Sequence, residues 1–214
     1  GTSIYCEQVG GDYYDFLELE DGRLGVVVTD ASGHGVGSAL HMTTARAFLR
    51  FGTRDFEGPA RLLGDVNRFL AHDASETGRF TTLFFLELNP SEKRLRWVRA
   101  GHDPAIFYDS ERNRFEALTG DGMALGVMPD YHFTDNVRQG WHSGDVILIS
   151  TDGVSETRNI QGDMFGTDRI KEAIRNHASK PAGKILESII DSVTRFRGES
   201  PQEDDITLVV MKLL

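Results

Sequence analysis

Apolar positions along the chain recur with a period of two in some stretches and near 3.6 in others, and the order of these stretches predicts the architecture. Ile4–Val9, Tyr13–Leu19 and Leu24–Asp30 read as strands, the last two joined by the hairpin signal Asp21-Gly22. A tight turn there sets Asp12 opposite Ala31 and one step from Asp30. A regular pleat then sends Asp12 and Asp30 to opposite faces and puts Asp15 on the face of Asp30, unless a bulge at Gly10-Gly11 re-aims Asp12. Val36, Leu40, Thr44, Ala47 and Phe51 recur at helical spacing. After the break at Gly58-Pro59, so do Leu62, Leu63, Val66, Phe69 and Leu70. The pattern predicts two helices packed on a sheet, with His41 on the helix surface.

Phe80–Leu88 and Arg94–Ala100 form a second expected hairpin, followed by strands over Ala105–Tyr108, near His132–Arg138 and over Asp145–Ser150. Helices follow near Asp168–His177 and Ala182–Phe196, and Ile206–Met211 closes the chain as a strand. Helices in consecutive pairs, instead of alternating with strands, predict an α+β fold with antiparallel sheets. With no Pro/Ser linker and strands at both ends, residues 1–214 are expected to form a single domain.

Candidate chemistry lies where apolar strands meet acids. Val26-Val27-Val28-Thr29 delivers Asp30 into Ala31-Ser32-Gly33-His34-Gly35-Val36-Gly37, and a buried carboxylate in such a place needs a cation. The glycines permit close backbone approach, and a helix opening near Gly37 aims free N–H groups at an anion. Taken alone, the stretch is equally a strand-to-helix turn with a solvated acid. Two further junctions weigh against that: Val146-Ile147-Leu148-Ile149-Ser150-Thr151 delivers Asp152, and Glu203-Asp204-Asp205 precedes the last strand. If that strand runs antiparallel to its neighbours, all three acidic junctions meet at one rim. His102, in a Gly-rich loop, is expected to make a hydrogen bond.

Composition narrows the classes. With 23 Lys plus Arg against 33 Asp plus Glu, the net charge of −10 offers no basic patch for nucleic acid. No run of 18 apolar residues is present, so no membrane contact is expected of this segment. The single Cys6 fits a reducing, cytoplasmic compartment and belongs to no Cys-x5-Arg thiol-phosphatase arrangement. The abrupt start suggests a domain from a longer chain.

The motifs Gly10-Gly11-Asp12-Tyr13-Tyr14-Asp15-Phe16, Thr29-Asp30-Ala31-Ser32-Gly33-His34-Gly35, Phe80-Thr81-Thr82-Leu83-Phe84, Ala100-Gly101-His102-Asp103-Pro104, Leu125-Gly126, Ser150-Thr151-Asp152-Gly153, Met164-Phe165-Gly166 and Asp204-Asp205-Ile206-Thr207 occur in this order. Together the chain resembles the bacterial SpoIIE/RsbU branch of the metal-dependent protein phosphatase 2C superfamily. The resemblance implies an αββα sandwich of two antiparallel β-sheets flanked by helix pairs, and two Mn²⁺ or Mg²⁺ ions. By position, Asp30 matches the bridging carboxylate, Asp12 and the Ala31 carbonyl the partners at one ion, and Asp152 with Asp204 those at the other. Asp12, Asp30 and Asp152 are thereby the catalytic acids. Asp205 and Asp15 remain alternatives, and Gly33, His34 and Gly35 are candidate substrate contacts.

All-oxygen ligands suit hard divalent ions that activate water for direct attack on phosphorus. The implied activity is that of a phosphoserine/phosphothreonine protein phosphatase in signalling. Its implied substrate class is a phosphorylated anti-sigma-factor antagonist, with an N-terminal sensor or response-regulator receiver domain in the full chain and a homodimer left open. One departure is the lack of an arginine before Asp12 matching the phosphate-binding arginine of many eukaryotic relatives. The competing expectation is a catalytically weak regulatory module that binds a signalling partner.

Overall fold

A computed structural model describes the backbone of residues 1–214 and the side chains of all but residues 74–77. Ten strands are built: β1 (Thr2–Ile4), β2 (Tyr13–Glu18), β3 (Leu24–Ala31), β4 (Thr81–Asn89), β5 (Arg94–Ala100), β6 (Ala105–Asp109), β7 (Arg114–Leu118), β8 (Asn136–Gln139), β9 (Val146–Ser150) and β10 (Ile206–Lys212). Five helices accompany them: α1 (Gly35–Gly52), α2 (Pro59–Thr77), α3 (Asp152–Glu156), α4 (Gly166–His177) and α5 (Ala182–Arg197). One sheet has the order β1-β10-β9-β6-β7 and the other β2-β3-β4-β5-β8, with antiparallel pairing between strands throughout.

Strand alternation decides the layers. In β3, Val26 and Val28 face the other sheet, where they pack with Phe84, Leu86, Ile147, Ile149 and Val209. Val27 points the opposite way, into a core with Phe85, Val98 and the α1/α2 residues Ala45, Leu49, Leu63, Val66 and Leu70. A matching core joins Val146, Leu148 and Leu208 to Ile170, Ile174, Ile185 and Ile189 of α4 and α5. Because both faces of the central strands are covered, they read as unbroken apolar runs. The result is the four-layer αββα arrangement.

The structure corrects several sequence expectations. The first strand ends at Ile4 rather than Val9, β8 is shorter than expected, and β7 and the short α3 were not foreseen. β7 is an edge strand with mostly exposed residues, so it lacks the apolar alternation that marks a half-buried strand. In α1 the buried face is Ser38, His41, Ala45 and Leu49, whereas Val36, Leu40 and Phe51 are 67%, 65% and 68% exposed. Small side chains are needed there because α1 passes close to the sheet: a Cβ on Gly11 would sit 3.1 Å from that of Ser38. His41 is consequently interior and not on the helix surface, and burial lowers its pKa.

Candidate metal and phosphate site

The hairpin between β2 and β3 sets the first pair of acids. Its connection is a single 3₁₀ turn, Glu20–Gly22, closed by the Leu19 N–H on the Arg23 carbonyl at 3.0 Å. This loop is longer than the two-residue turn expected, so Tyr13 faces Thr29 instead of Asp30. One step further, Asp12 stands opposite Asp30, and the Ala31 N–H reaching the Gly11 carbonyl at 3.3 Å continues the ladder. Opposed residues share a face, so both acids lie on the intersheet side without a bulge. The same register sends Asp15 to the α1 side, opposite Val27, where Arg50 Nε and Nη2 each approach it at 2.6 Å and the Tyr13 hydroxyl also binds it. Asp15 is therefore removed from the candidate site.

The other sheet supplies the remaining acids. β9 and β10 are antiparallel with Ser150 opposite Leu208, so the acid that follows β9 and those that precede β10 share one end. Asp152 opens α3, and Asp204 and Asp205 lie against it: a Cβ on Gly153 would fall 2.0 Å from the Asp205 carbonyl oxygen. Gly10 makes the same allowance on the other side, where a Cβ would meet Asp205 Oδ2 at 2.0 Å. Asp205 is buried and occupied. Its Oδ1 accepts the Cys6 N–H at 2.9 Å and its Oδ2 the Asp12 N–H at 3.4 Å. Asp204 is exposed and accepts the Asp205 N–H at 2.7 Å. Thr151 donates its hydroxyl to Asp12 Oδ2 at 2.8 Å.

Electrostatics tie these acids into one group. Burial, and then the charge of Asp30, pushes the Asp12 carboxyl up to about 8. Burial, followed by Asp152, Asp204 and Asp205, pushes Asp30 up to about 7. Asp152 is raised by burial and then by Asp103, and Asp204 by burial and then by Asp152 and Asp205. On Asp204 the exposed His34, which sits 2.8 Å from Glu7, acts in the opposite direction. Hard oxygen donors whose burial and mutual repulsion disfavour their charged forms are the chemistry that fits Mg²⁺ or Mn²⁺. His102 is buried, with Nδ1 2.9 Å from the Thr82 hydroxyl, and burial pushes its pKa down to about 4.

A tighter group, Asp109, His142 and Asp145, brings ligating atoms within 4.8 Å of one another. It lies at the opposite end of β9, and its carboxylates are already engaged. Asp145 accepts the Ser110 and His142 N–H groups, each at 2.8 Å, and Asp109 accepts Arg112 N–H and Nη1, each at 2.9 Å. These bonds organise a turn.

Two residues near the site escaped the sequence reading. Thr151 stands directly before Asp152, and that position was its one available signal. Arg79 lies over the glycine loop, with Nη1 donating to the Ser32 carbonyl at 2.9 Å, and nothing local in the sequence links two residues 47 positions apart.

Four-layer sandwiches with this topology are the fold of PP2C phosphatase domains. The structure superposes on the SiaA-PP2C domain of Pseudomonas aeruginosa with a TM-score of 0.87 and 25% identity, covering 100% of this chain and 85% of that one. The family model of Stage II sporulation protein E (SpoIIE) matches residues 20–214, and the chain belongs to that family. It is also similar to the phosphoserine phosphatase RsbU of Bacillus subtilis, 27% identical over 210 residues, and to the phosphoserine phosphatase RsbP of the same organism, 22% identical over 207. These matches cover 98% and 95% of this chain but 61% and 49% of those proteins, so the chain spans about three fifths of the one and about half of the other.

Proposed function

We propose that this domain is a metal-dependent phosphoserine/phosphothreonine protein phosphatase acting in bacterial signalling, and that residues 1–214 are the single catalytic domain of a longer regulatory protein. The observation that carries the reading is the convergence of Asp12, Asp30, Asp152 and Asp204 from two sheets onto one rim, with their charges opposing one another. In this reading Asp12, Asp30 and the Ala31 carbonyl hold one divalent ion, and Asp30, Asp152 and Asp204 hold the second. Two Mn²⁺ or Mg²⁺ ions, when bound, supply Lewis acidity toward the phosphoryl oxygens and a nucleophilic water of lowered pKa.

The chain's own residues set the geometry. Thr151 fixes one oxygen of Asp12, Asp205 fixes the Asp12 backbone, and β3 presents Asp30 on a rigid strand. Gly33, His34 and Gly35 line the approach for the phosphate. A thiol route is disfavoured because burial and the Asp205 carboxylate push the Cys6 thiol up to about 11, where little thiolate exists near neutrality.

The substrate class supported by the family resemblance is a phosphorylated anti-sigma-factor antagonist, with an N-terminal sensor or receiver domain as the regulatory partner. No helix among the described residues is long and apolar enough to cross a membrane. A second reading, a catalytically weak module that docks a partner or a second copy, draws on the exposed Val36, Leu40 and Phe51 of α1 and Phe69 of α2. The two readings separate on one assay. Phosphate release from p-nitrophenyl phosphate should require Mn²⁺ or Mg²⁺ and stop with chelator, whereas the docking module gives no metal-dependent release above a blank.

A further inference from the structure

We infer that Arg79 is a positioning residue that locks the site loop by gripping it at two points, the Ser32 carbonyl and the backbone at Gly37. The inference rests on the phosphatase reading for its effect on rate, but not for its effect on the loop. Arg79 lies in the short connection between α2 and β4, and three hydrogen bonds stitch that connection to Ser32, two residues beyond Asp30. The Arg79 Nη1 donates to the Ser32 carbonyl at 2.9 Å, the Ser32 N–H to the Phe80 carbonyl at 2.9 Å, and the Phe80 N–H to the Ser32 hydroxyl at 2.9 Å.

The second grip explains a glycine. Gly37 sits in the first turn of α1 with no positive φ, where glycine is less favourable than alanine by about 1 kcal/mol. Its reason is space. A Cβ there would lie 2.5 Å from Arg79 Nη2 and 3.0 Å from Cζ, and one on Gly33 would lie 3.1 Å from Nη1. The guanidinium thus occupies the concave side of the turn from Ser32 to Gly37. A planar fork can hold a carbonyl at one nitrogen while a second nitrogen fills the space beside Gly37, which a single ammonium cannot do. Its charge is also felt at His41, further along the same helix, where it adds to the lowering by burial. Since the loop begins at Asp30 and Ala31, freeing it loosens the geometry on which the rate depends.

Four variants test this: Arg79→Ala, Arg79→Lys, Gly37→Ala, and the first and third combined. In the metal-free protein, Arg79→Ala should speed amide exchange at Ser32 and Gly33 about tenfold, the equivalent of roughly one lost hydrogen bond, while exchange within β4 and β9 stays unchanged. Arg79→Lys should share most of that effect. Gly37→Ala should reproduce it by displacing the guanidinium, and the double variant should be no worse than either single one, since removing Arg79 leaves room for the methyl group. With Mn²⁺ and p-nitrophenyl phosphate, kcat should fall by about 10- to 100-fold with KM within about twofold. Unchanged exchange at Ser32, or additive effects in the double variant, would overturn the inference. A raised KM with unaltered exchange would make Arg79 a phosphate contact instead. If the phosphatase reading alone is wrong, the exchange results stand while no variant or parent releases phosphate.

Discussion

Thr151 donates its hydroxyl to Asp12 Oδ2 at 2.8 Å, a bond that joins the end of β9 in one sheet to the residue preceding β2 in the other. The same hydroxyl oxygen accepts the Thr207 N–H at 3.1 Å, so one side chain couples the site acid to the β9–β10 ladder. Replacing Thr151 by Val leaves a buried N–H and a buried carboxylate each short of a partner. We expect a loss of about 1–3 kcal/mol in stability by denaturant unfolding, together with reduced activity. Thr151→Ser loses only the methyl group and should keep most of both, whereas Val loses only the hydroxyl; equal damage from Ser and Val would contradict a role for the hydroxyl's hydrogen bonds.

The metal-free site makes stability depend on pH in a definite direction. Asp12 and Asp30 are pushed up to about 8 and about 7 in the fold, against about 4 for an ordinary carboxyl, so between these values the folded state holds more protons than the unfolded one. Their contribution is fully present below about pH 4 and is lost as pH rises toward 7–8. Thermal melts in chelator should therefore show the apo protein losing stability from these groups across that range. Added Mn²⁺ should reverse the loss at pH 8, and Asp30→Asn should raise the apo melting temperature there. A flat difference between Asp30→Asn and parent from pH 5 to 8 would contradict the electrostatic description.

The neighbouring acids Asp204 and Asp205 should separate by phenotype. Asp205 carries the Cys6 and Asp12 N–H groups and is buried, whereas Asp204 is exposed and its carboxylate accepts the adjacent Asp205 N–H. Asp204→Ala should weaken divalent-ion binding in calorimetry and leave the melting temperature nearly unchanged. Asp205→Asn should lower the melting temperature, because a charged acceptor becomes a neutral one for two backbone donors. If Asp205→Ala alone abolished ion binding without loss of fold, the ligand would move by one residue.

The strands that deliver acids were legible because burial on both faces leaves a continuous apolar run, and a carboxylate at its end stands out. The hairpin register was not, since Asp21-Gly22 signals a two-residue turn while the chain spends the longer stretch from Leu19 to Arg23 on it. That one-residue difference exchanges the faces of Asp12 and Asp15. The orientation of α1 was misread for a related reason: Val36, Leu40 and Phe51 form a more apolar stripe than the buried Ser38, His41, Ala45 and Leu49, and close approach to the sheet favours the smaller set. Arg79 and Ser32 meet only through the tertiary fold.

The most direct test of the central claim is phosphate release from a phosphoserine protein, followed against Mn²⁺ concentration for the parent and Asp30→Asn. A carboxylate shared by two ions should be indispensable, so the parent should show saturable, metal-dependent release and the variant should fall by several orders of magnitude at every Mn²⁺ concentration while remaining folded. Near-parental turnover by folded Asp30→Asn at saturating Mn²⁺ would contradict the account.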